Sequence, residues 1–392
     1  MQSKDIIQVL KNSDAKTFIR EHLNDNLAHL SLKYSGKTTF NITVCLQLMS
    51  IYKKAKVKLP LYAQNLLALD KRSYEQCTSE KVAQYKATFI QGINLLDLTA
   101  GLGVDSFYFS QSFKSVISVD HNANLNYLAQ YNLQCLGVKN ITRELGQASE
   151  FLTKRYSWIY IDPDRRVESK RKITLDSLSP NVINLIPKLN HCTDKVYIKL
   201  SPLFDIAEVW KKFQHAQDVH IISEKGEVKE LGVVLSFIKK DKQCIKLKDV
   251  TSGFSFCADR NTSFNTKSGK SSDNKHLIIP NSLLTKSRLA EVYLKDEVVK
   301  KHPDLPYFYC NNLMGIEGLR EFEIISTTSL AVKHIRNLIK NNKVEKLNII
   351  VKGLKEKPQE WHNKLKTKDG GNYYLFLTKG KIKEALLCKL IS

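Results

Sequence analysis

Short apolar runs that stop at an acidic residue recur through the middle of the chain. Ile93, Leu95 and Leu96 lead into Asp97; Val116, Ile117 and Val119 lead into Asp120; Trp158, Ile159, Tyr160 and Ile161 lead into Asp162-Pro163. Runs of this length, apolar on both alternations and bounded by turn residues, read as strands covered on both faces of a parallel sheet. A weaker third strand is predicted at 140–142 and a fifth at 196–199. Between them, Phe107-Tyr108-Phe109 opens one helix, and Leu125, Leu128, Tyr131 and Leu133 recur at helical spacing. Helices over 181–189 and 205–213 follow, then strands at 218–223 and 230–238. Alternation of strand and helix predicts an α/β fold with a Rossmann-like sheet over residues 90–240. The last two strands would supply an antiparallel hairpin.

The flanks read differently. Residues 1–89 place Ile6, Ile7, Val9, Leu10, then Phe18, Ile19, Leu23, Leu27, then Ile42, Val44, Leu46, Leu48 at spacings that predict helices. Leu59-Pro60 breaks that pattern, and Ser79 before Glu80 marks another helix start. Residues 257–276 have the Gly, Ser and Asn content of a loop. A helix is expected over 282–293 and a Pro-rich turn at Pro303 and Pro306. From Phe322 the order is strand, helix, strand, helix, strand, with a terminal segment at 383–390, which suits a small α/β sandwich. The expected division is therefore 1–89 helical region, 90–240 Rossmann-like domain, 241–318 linker and small insert, and 319–392 C-terminal module.

Chemistry concentrates at the strand ends. In the 97–105 loop, Gly101 and Gly103 keep side chains away from a ligand, and the helix that follows offers free N–H groups. A dinucleotide fingerprint would place a third glycine at position 106, which is serine. Asp97 and Asp105 add negative charge where a pyrophosphate would sit, so the loop, with Thr99 and Ala100, suits a cationic ligand. The sulfonium and amino group of S-adenosylmethionine answer that description. A carboxylate can accept from two vicinal hydroxyls, which assigns the cofactor ribose to Asp120. Gln147 is the candidate contact near the adenine. Asp-Pro alone is a common turn starter; after three such strand ends, it resembles the place where class I N-methyltransferases hold their target amine, which implies that Asp162 and the Pro163 carbonyl orient an amine. Lys199 and Ser201, at the end of the fifth strand, are expected to line the same cleft. Neither the fourth nor the fifth strand ends beside a cysteine, so the covalent route to C5 methylation of pyrimidines is not expected.

Taken in order, these segments resemble a family: bacterial class I S-adenosylmethionine-dependent methyltransferases with a C-terminal THUMP-like domain. The residues that carry the resemblance are Glu75-Gln76-Cys77-Thr78-Ser79-Glu80 with Tyr85-Lys86-Ala87, the 97–105 loop, Asp162-Pro163-Asp164-Arg165-Arg166 and Lys199-Leu200-Ser201-Pro202. Ile279-Pro280-Asn281-Ser282-Leu283-Leu284 resembles the entry to that family's ferredoxin-like insert, and Arg320-Glu321-Phe322 onward resembles its THUMP-like module. The resemblance implies a Rossmann-like catalytic sheet, S-adenosylmethionine as cofactor and RNA, ribosomal or transfer, as substrate. In one respect this chain departs from related N-methyltransferases, which put an aromatic residue where Asp164 and Arg165 stand. The Arg165 guanidinium is the candidate to stack on a flipped base instead.

Composition narrows the field. With 61 Lys and Arg against 39 Asp and Glu, the formal charge is +22, which favours a polyanionic partner. Arg165, Arg166, Lys170, Arg171 and Lys172 directly follow the Asp-Pro turn, where substrate phosphates would lie. Eight scattered cysteines form no Cys-x-x-Cys pair, so no metal site or disulfide framework is expected. No 18-residue apolar run exists and the N-terminus lacks an apolar signal core, so a cytoplasmic protein without a membrane partner is expected. Two alternatives stay open: a non-catalytic RNA-binding homologue, and a methyltransferase for a protein or small molecule.

Overall fold

The computed structural model describes residues 2–165, 174–238 and 242–391. The chain divides into two compact units, 1–246 with 250–252 and 247–249 with 253–392.

The first sheet has nine strands, and the last two, Cys244–Asp249 and Ser255–Asp259, carry it past the boundary expected at residue 240. The other seven are β1 (Gly92–Asp97), β2 (Phe113–Asp120), β3 (Ile141–Leu145), β4 (Trp158–Ile161), β5 (Lys195–Leu200), β6 (Ala216–Glu224) and β7 (Glu227–Ser236). They lie in the order β3-β2-β1-β4-β5-β7-β6. The first five are parallel, and β7 runs antiparallel between β5 and β6. Strand order reverses between β1 and β4, which opens a crevice at their carboxyl ends. Helices α8 (Val104–Ser110), α9 (Ala123–Cys135), α10 (Val182–Cys192) and α11 (Ile206–Lys212) connect the strands. The hairpin expected at 218–223 and 230–238 is the β6–β7 pair.

Residues 1–89 are helical as expected: α1 (Ser3–Lys11), α2 (Ser13–His22), α3 (Leu27–Tyr34), α4 (Ile42–Lys58), α5 (Pro60–Gln64), α6 (Lys71–Gln76) and α7 (Glu80–Ala87). Asparagine side chains start many of the helices. Asn12, Asn26, Asn41 and Asn122 each accept from a free N–H in the first turn of α2, α3, α4 and α9. The boundary expected at residue 89 is not a division between compact units. One apolar core runs from Ile6 and Leu48 to Leu95, Leu128 and Tyr160. Asn132 of α9 closes the join: its side chain accepts from the Ala68 N–H at 2.6 Å and donates to the Ala68 carbonyl at 3.0 Å. Hydrophobic spacing reveals which face of a helix is buried but not against what, so the missing boundary was invisible in sequence.

The second unit holds a seven-stranded sheet. Its strands are β8 (His276–Pro280), β9 (Lys300–Lys301), β10 (Phe308–Cys310), β11 (Leu319–Thr328), β12 (Asn348–Lys352), β13 (Tyr373–Lys379) and β14 (Lys383–Leu390). Their order is β9-β10-β8-β11-β14-β13-β12. The expected boundary at 318/319 therefore falls inside one sheet, because β8 pairs with β11 in continuous antiparallel register. The single helix expected over 282–293 is two, α12 (Ser282–Ser287) and α13 (Ala290–Tyr293), parted at Arg288 with φ of +60°. Helices α14 (Val332–Asn341) and α15 (Pro358–Leu365) bury Ile335, Leu338 and Trp361 in the core they share with Leu375 and Leu387 of the sheet.

One glycine in the first sheet has a packing reason. A Cβ on Gly232 of β7 would lie 1.8 Å from the Tyr197 hydroxyl oxygen of β5. Gly232→Ala is expected to cost about 1–3 kcal/mol through overpacking, seen as a lower melting temperature. An unchanged melt would show that the Tyr197 ring does not cross position 232.

Candidate active site

At the carboxyl edge of β1, β2 and β4 a cleft of about 1250 Å³ brings together Asp97, Thr99, Ala100, Gly101, Asp105, Asp120, Gln147 and Asp162. Asp164 lines it as well. Five of the other expected residues sit elsewhere or are only partly described. Gly103 is the N-cap of α8, with φ of +84°. Ser201 accepts from the Leu203 N–H at 3.3 Å, starting the turn after β5. Lys199 lines an adjoining cleft of about 450 Å³, which shares Gln76, Cys77 and Thr78 with the first. The Pro163 ring is buried, and the Arg165 backbone pairs with Leu178. The Arg165 side chain lies outside the described residues, as do Arg166, Lys170, Arg171 and Lys172.

The loop after β1 is held from both sides of one peptide group. The Gly101 N–H donates to Asp120 Oδ2 at 2.7 Å, and its carbonyl accepts from Arg143 Nη2 at 2.5 Å. The Asn122 N–H donates to Asp120 Oδ1 at 2.8 Å. Each Asp120 oxygen keeps a lone pair for a ligand hydroxyl. Arg143, from β3, is buried and also donates to Asn126 at 2.5 Å and Ser118 at 2.9 Å. Nothing in the sequence around Arg143 marked it, since a single arginine on a weak strand resembles surface charge.

Asp97 is fully buried under the loop. Ser106, standing where a dinucleotide fingerprint has glycine, donates to Asp97 Oδ2 at 2.5 Å, and the Thr99 N–H donates to Oδ1 at 3.2 Å. Asp97 thus folds the loop from within. Asp105 lies in the first turn of α8, and its carboxylate turns toward Lys86, whose Nζ is 2.8 Å from Oδ1. The hydroxyls of Thr78 and Tyr160 donate to Asp105 Oδ2 at 2.7 and 3.0 Å. The negative charge expected to face a ligand is thus largely answered inside the protein.

Lys86, entirely buried on α7, also meets Glu230 Oε2 at 3.2 Å and donates to the Tyr160 hydroxyl at 3.0 Å. Its ammonium stands 5.1 Å from the Tyr160 ring centre. Tyr197 donates to the other Glu230 oxygen at 2.8 Å. Beyond Thr78, Lys199 Nζ donates to Thr78 Oγ1 at 3.0 Å and to Asp162 Oδ2 at 2.6 Å. Burial alone would raise the Asp105 carboxyl, but Lys86 and Lys199 outweigh it and hold it below the usual range. Burial and the neighbouring Asp162 charge raise the Asp164 carboxyl. The sequence signal for this cluster was a lysine on the apolar side of α7, inside the Tyr85-Lys86-Ala87 segment. Its partners are remote in sequence and carried no signal.

The same architecture occurs in a solved structure. A candidate methyltransferase from Porphyromonas gingivalis W83 superposes over 100% of both chains with a TM-score of 0.81, at 22% identity. The fold is that of a class I methyltransferase. Residues 319–389 match the family model described as THUMP domain-like. Two partial likenesses are a candidate class I S-adenosylmethionine-dependent methyltransferase from Listeria monocytogenes and M. capricolum TrmK in complex with S-adenosylhomocysteine. The first is 13% identical, with a TM-score of 0.38 over 63% of this chain and 92% of its own. The second is 14% identical, with a TM-score of 0.33 over 41% and 69%. No curated protein matches the chain by sequence. Among the described residues, no helix of this methyltransferase fold is long and apolar enough to cross a membrane. The described residues also hold no group of three or more His, Cys, Asp and Glu placed to bind a metal.

Two stability tests follow from this geometry. Burial pushes the Asp97 carboxyl up to about 7, against the pull of Ser106 and Thr99. A carboxyl that keeps its proton longer folded than unfolded stabilises the fold at low pH, and that contribution fades as pH rises from about 4 to about 7. Between about pH 5 and about pH 7, wild type should lose up to roughly 1.4 kcal/mol per unit relative to Asp97→Asn in urea titrations. A difference that stays flat with pH would mean the carboxyl is solvated. Lys86→Met leaves Asp105 and Glu230 buried without their shared cation, and should cost roughly 3–5 kcal/mol. A variant as stable as wild type to urea would show that the cluster carries no such weight.

Proposed function

We propose that the chain is an S-adenosylmethionine-dependent methyltransferase that places a methyl group on a nitrogen of a base in ribosomal or transfer RNA. The observation that carries this reading is that Gly101, Asp120 and Asp162, from three strand ends, line one cleft. The donor set fits the cofactor. A Cβ on Gly101, where φ is +52°, would meet no atom within 4 Å, so any side chain there would stand in the cleft. Asp120, already oriented by two N–H groups, would take the ribose hydroxyls, and Gln147 would lie toward the adenine. When bound, S-adenosylmethionine would supply a methyl carbon open to attack by a nitrogen lone pair, with the sulfonium sulfur taking the electrons of the broken S–C bond.

Asp162 and the Pro163 carbonyl would accept from the target amine and turn its lone pair toward that carbon; the surplus proton leaves by Asp162 to water. Little more than positioning is needed, because the nitrogen becomes cationic as it is methylated and its proton is then lost readily. The RNA part of the reading rests on charge and on the C-terminal module. The net charge of +22 suits phosphates, and Arg165 and Arg166 follow the Asp-Pro turn directly.

Asp120→Ala should weaken S-adenosylmethionine binding by roughly tenfold or more, measured by calorimetry, since a charge-assisted contact is lost. Asp162→Ala should abolish methyl transfer while leaving that binding intact. Nucleoside mass spectrometry of RNA from cells with and without the gene identifies the product. Cofactor binding without any missing methylated nucleoside, and without transfer to RNA in vitro, would refute RNA methylation. Absence of cofactor binding would refute the enzyme reading.

A further inference from the structure

The reading of Asp162 as the amine acceptor leaves open what holds its carboxylate still. Its backbone is tied to the cofactor loop, because the Asp162 N–H donates to Thr99 Oγ1 at 2.6 Å. Its side chain is tied to β5, where Lys199 Nζ stands 2.6 Å from Oδ2. No described residue donates to Oδ1. The Lys199 side chain is 14% exposed and that of Asp162 33%, so the pair is sheltered on the lysine side and open on the carboxylate side. Lys199 reaches Asp162 from the smaller cleft and lines that cleft, whereas Asp162 lines the larger one.

We propose that Lys199 is a positioning residue for Asp162: its ammonium holds one carboxylate oxygen, so that the other faces the substrate nitrogen as an acceptor. This rests on the methyltransferase reading of the cleft. The second anchor of Lys199 is Thr78, which passes the contact to Asp105 and so to Lys86 and Glu230. A flexible four-carbon stem is thereby fixed at its far end by two partners on different elements. Burial works against the ammonium, but Asp162, Asp105 and Glu230 outweigh it and hold Lys199 protonated well beyond its usual range. A carboxylate bonded to an ammonium accepts and does not donate. The nitrogen it orients must therefore carry a hydrogen, as an exocyclic amine or a ring N–H does and a bare ring nitrogen does not.

The test uses the full-length protein, S-adenosylmethionine, and total RNA from cells lacking the gene. Lys199→Met should lower kcat by roughly 10- to 100-fold, the scale of a small misplacement of a reacting group. KM for RNA and the calorimetric Kd for S-adenosylmethionine should change little. Lys199→Arg, which keeps a donor and the charge, should recover much of the rate. Adding Lys199→Met to Asp162→Asn should lower kcat no further. Independently of activity, the losses in melting temperature of Lys199→Met and Asp162→Asn should fail to add in the double variant. Additive thermal losses together with an undiminished kcat in Lys199→Met would overturn the proposal. So would a product methylated on a bare ring nitrogen, such as N7 of guanine. If wild type methylates no RNA, the RNA reading fails, and the thermal cycle still decides whether the two side chains are coupled.

Discussion

Three carboxylates and two ammonium groups meet beneath the carboxyl edge of the sheet, and the cleft is built over them. Lys86 enters from α7, Glu230 from β7, Asp105 from α8, Lys199 from β5 and Asp162 from the end of β4. Charges with this little exposure are tolerable only when each has a partner of opposite sign and its remaining lone pairs are filled. The hydroxyls of Tyr160 and Thr78 donate to Asp105 and that of Tyr197 to Glu230, while Asp162 is one-third exposed (33%). Because the five charged residues come from five elements, the requirement that they be satisfied together fixes how those elements pack. Such a cluster is a poor source of net stability, since desolvation offsets most of the attraction. What it does well is penalise every other arrangement.

The cluster also explains why the N-terminal helices are not a separate domain. Lys86 and Thr78 lie in that region, yet their charge partners and acceptors lie in the sheet. Removing the helices would strand Asp105 and Glu230 without a cation. The carboxylate expected to meet a ligand directly, Asp105, works inward, and Asp162, which lines the cleft, has one oxygen to which no described residue donates. Asp97 has a similar inward role through Ser106, whose hydroxyl replaces the hydrogen of a glycine and pins the loop from below. Where a dinucleotide fold brings helix and strand together with glycine, this chain brings them together with a hydrogen bond.

A second constraint acts on the loop after β1. The Gly101 peptide is gripped by Asp120 through its N–H and by Arg143 through its carbonyl. The acidic residue at the end of β2 thus does two jobs: it sets the loop and keeps lone pairs for a ligand. Both partners are buried, so the loop geometry exists before any ligand arrives. Preorganisation of this kind lowers the ordering cost of binding.

Much of this was readable from the chain alone. Alternating apolar runs and helical spacings located seven of the nine strands of the first sheet and the helices between them, because burial of a strand on both faces leaves a local signature. The acidic residues at strand ends located Asp97, Asp120 and Asp162, because turn chemistry follows directly on a strand. Tertiary structure alone decided which carboxylates face the cleft and which face inward. That choice depends on Lys86, Arg143 and Lys199, single cations whose partners are up to 144 positions away in sequence. The second unit shows the same division: its strands at 322–325, 347–351 and 373–377 were legible, but those at His276–Pro280, Lys300–Lys301 and Phe308–Cys310, and the union of all into one sheet across residue 319, were not. Local pattern reports that a side chain is buried or charged; only the folded chain decides what stands opposite it.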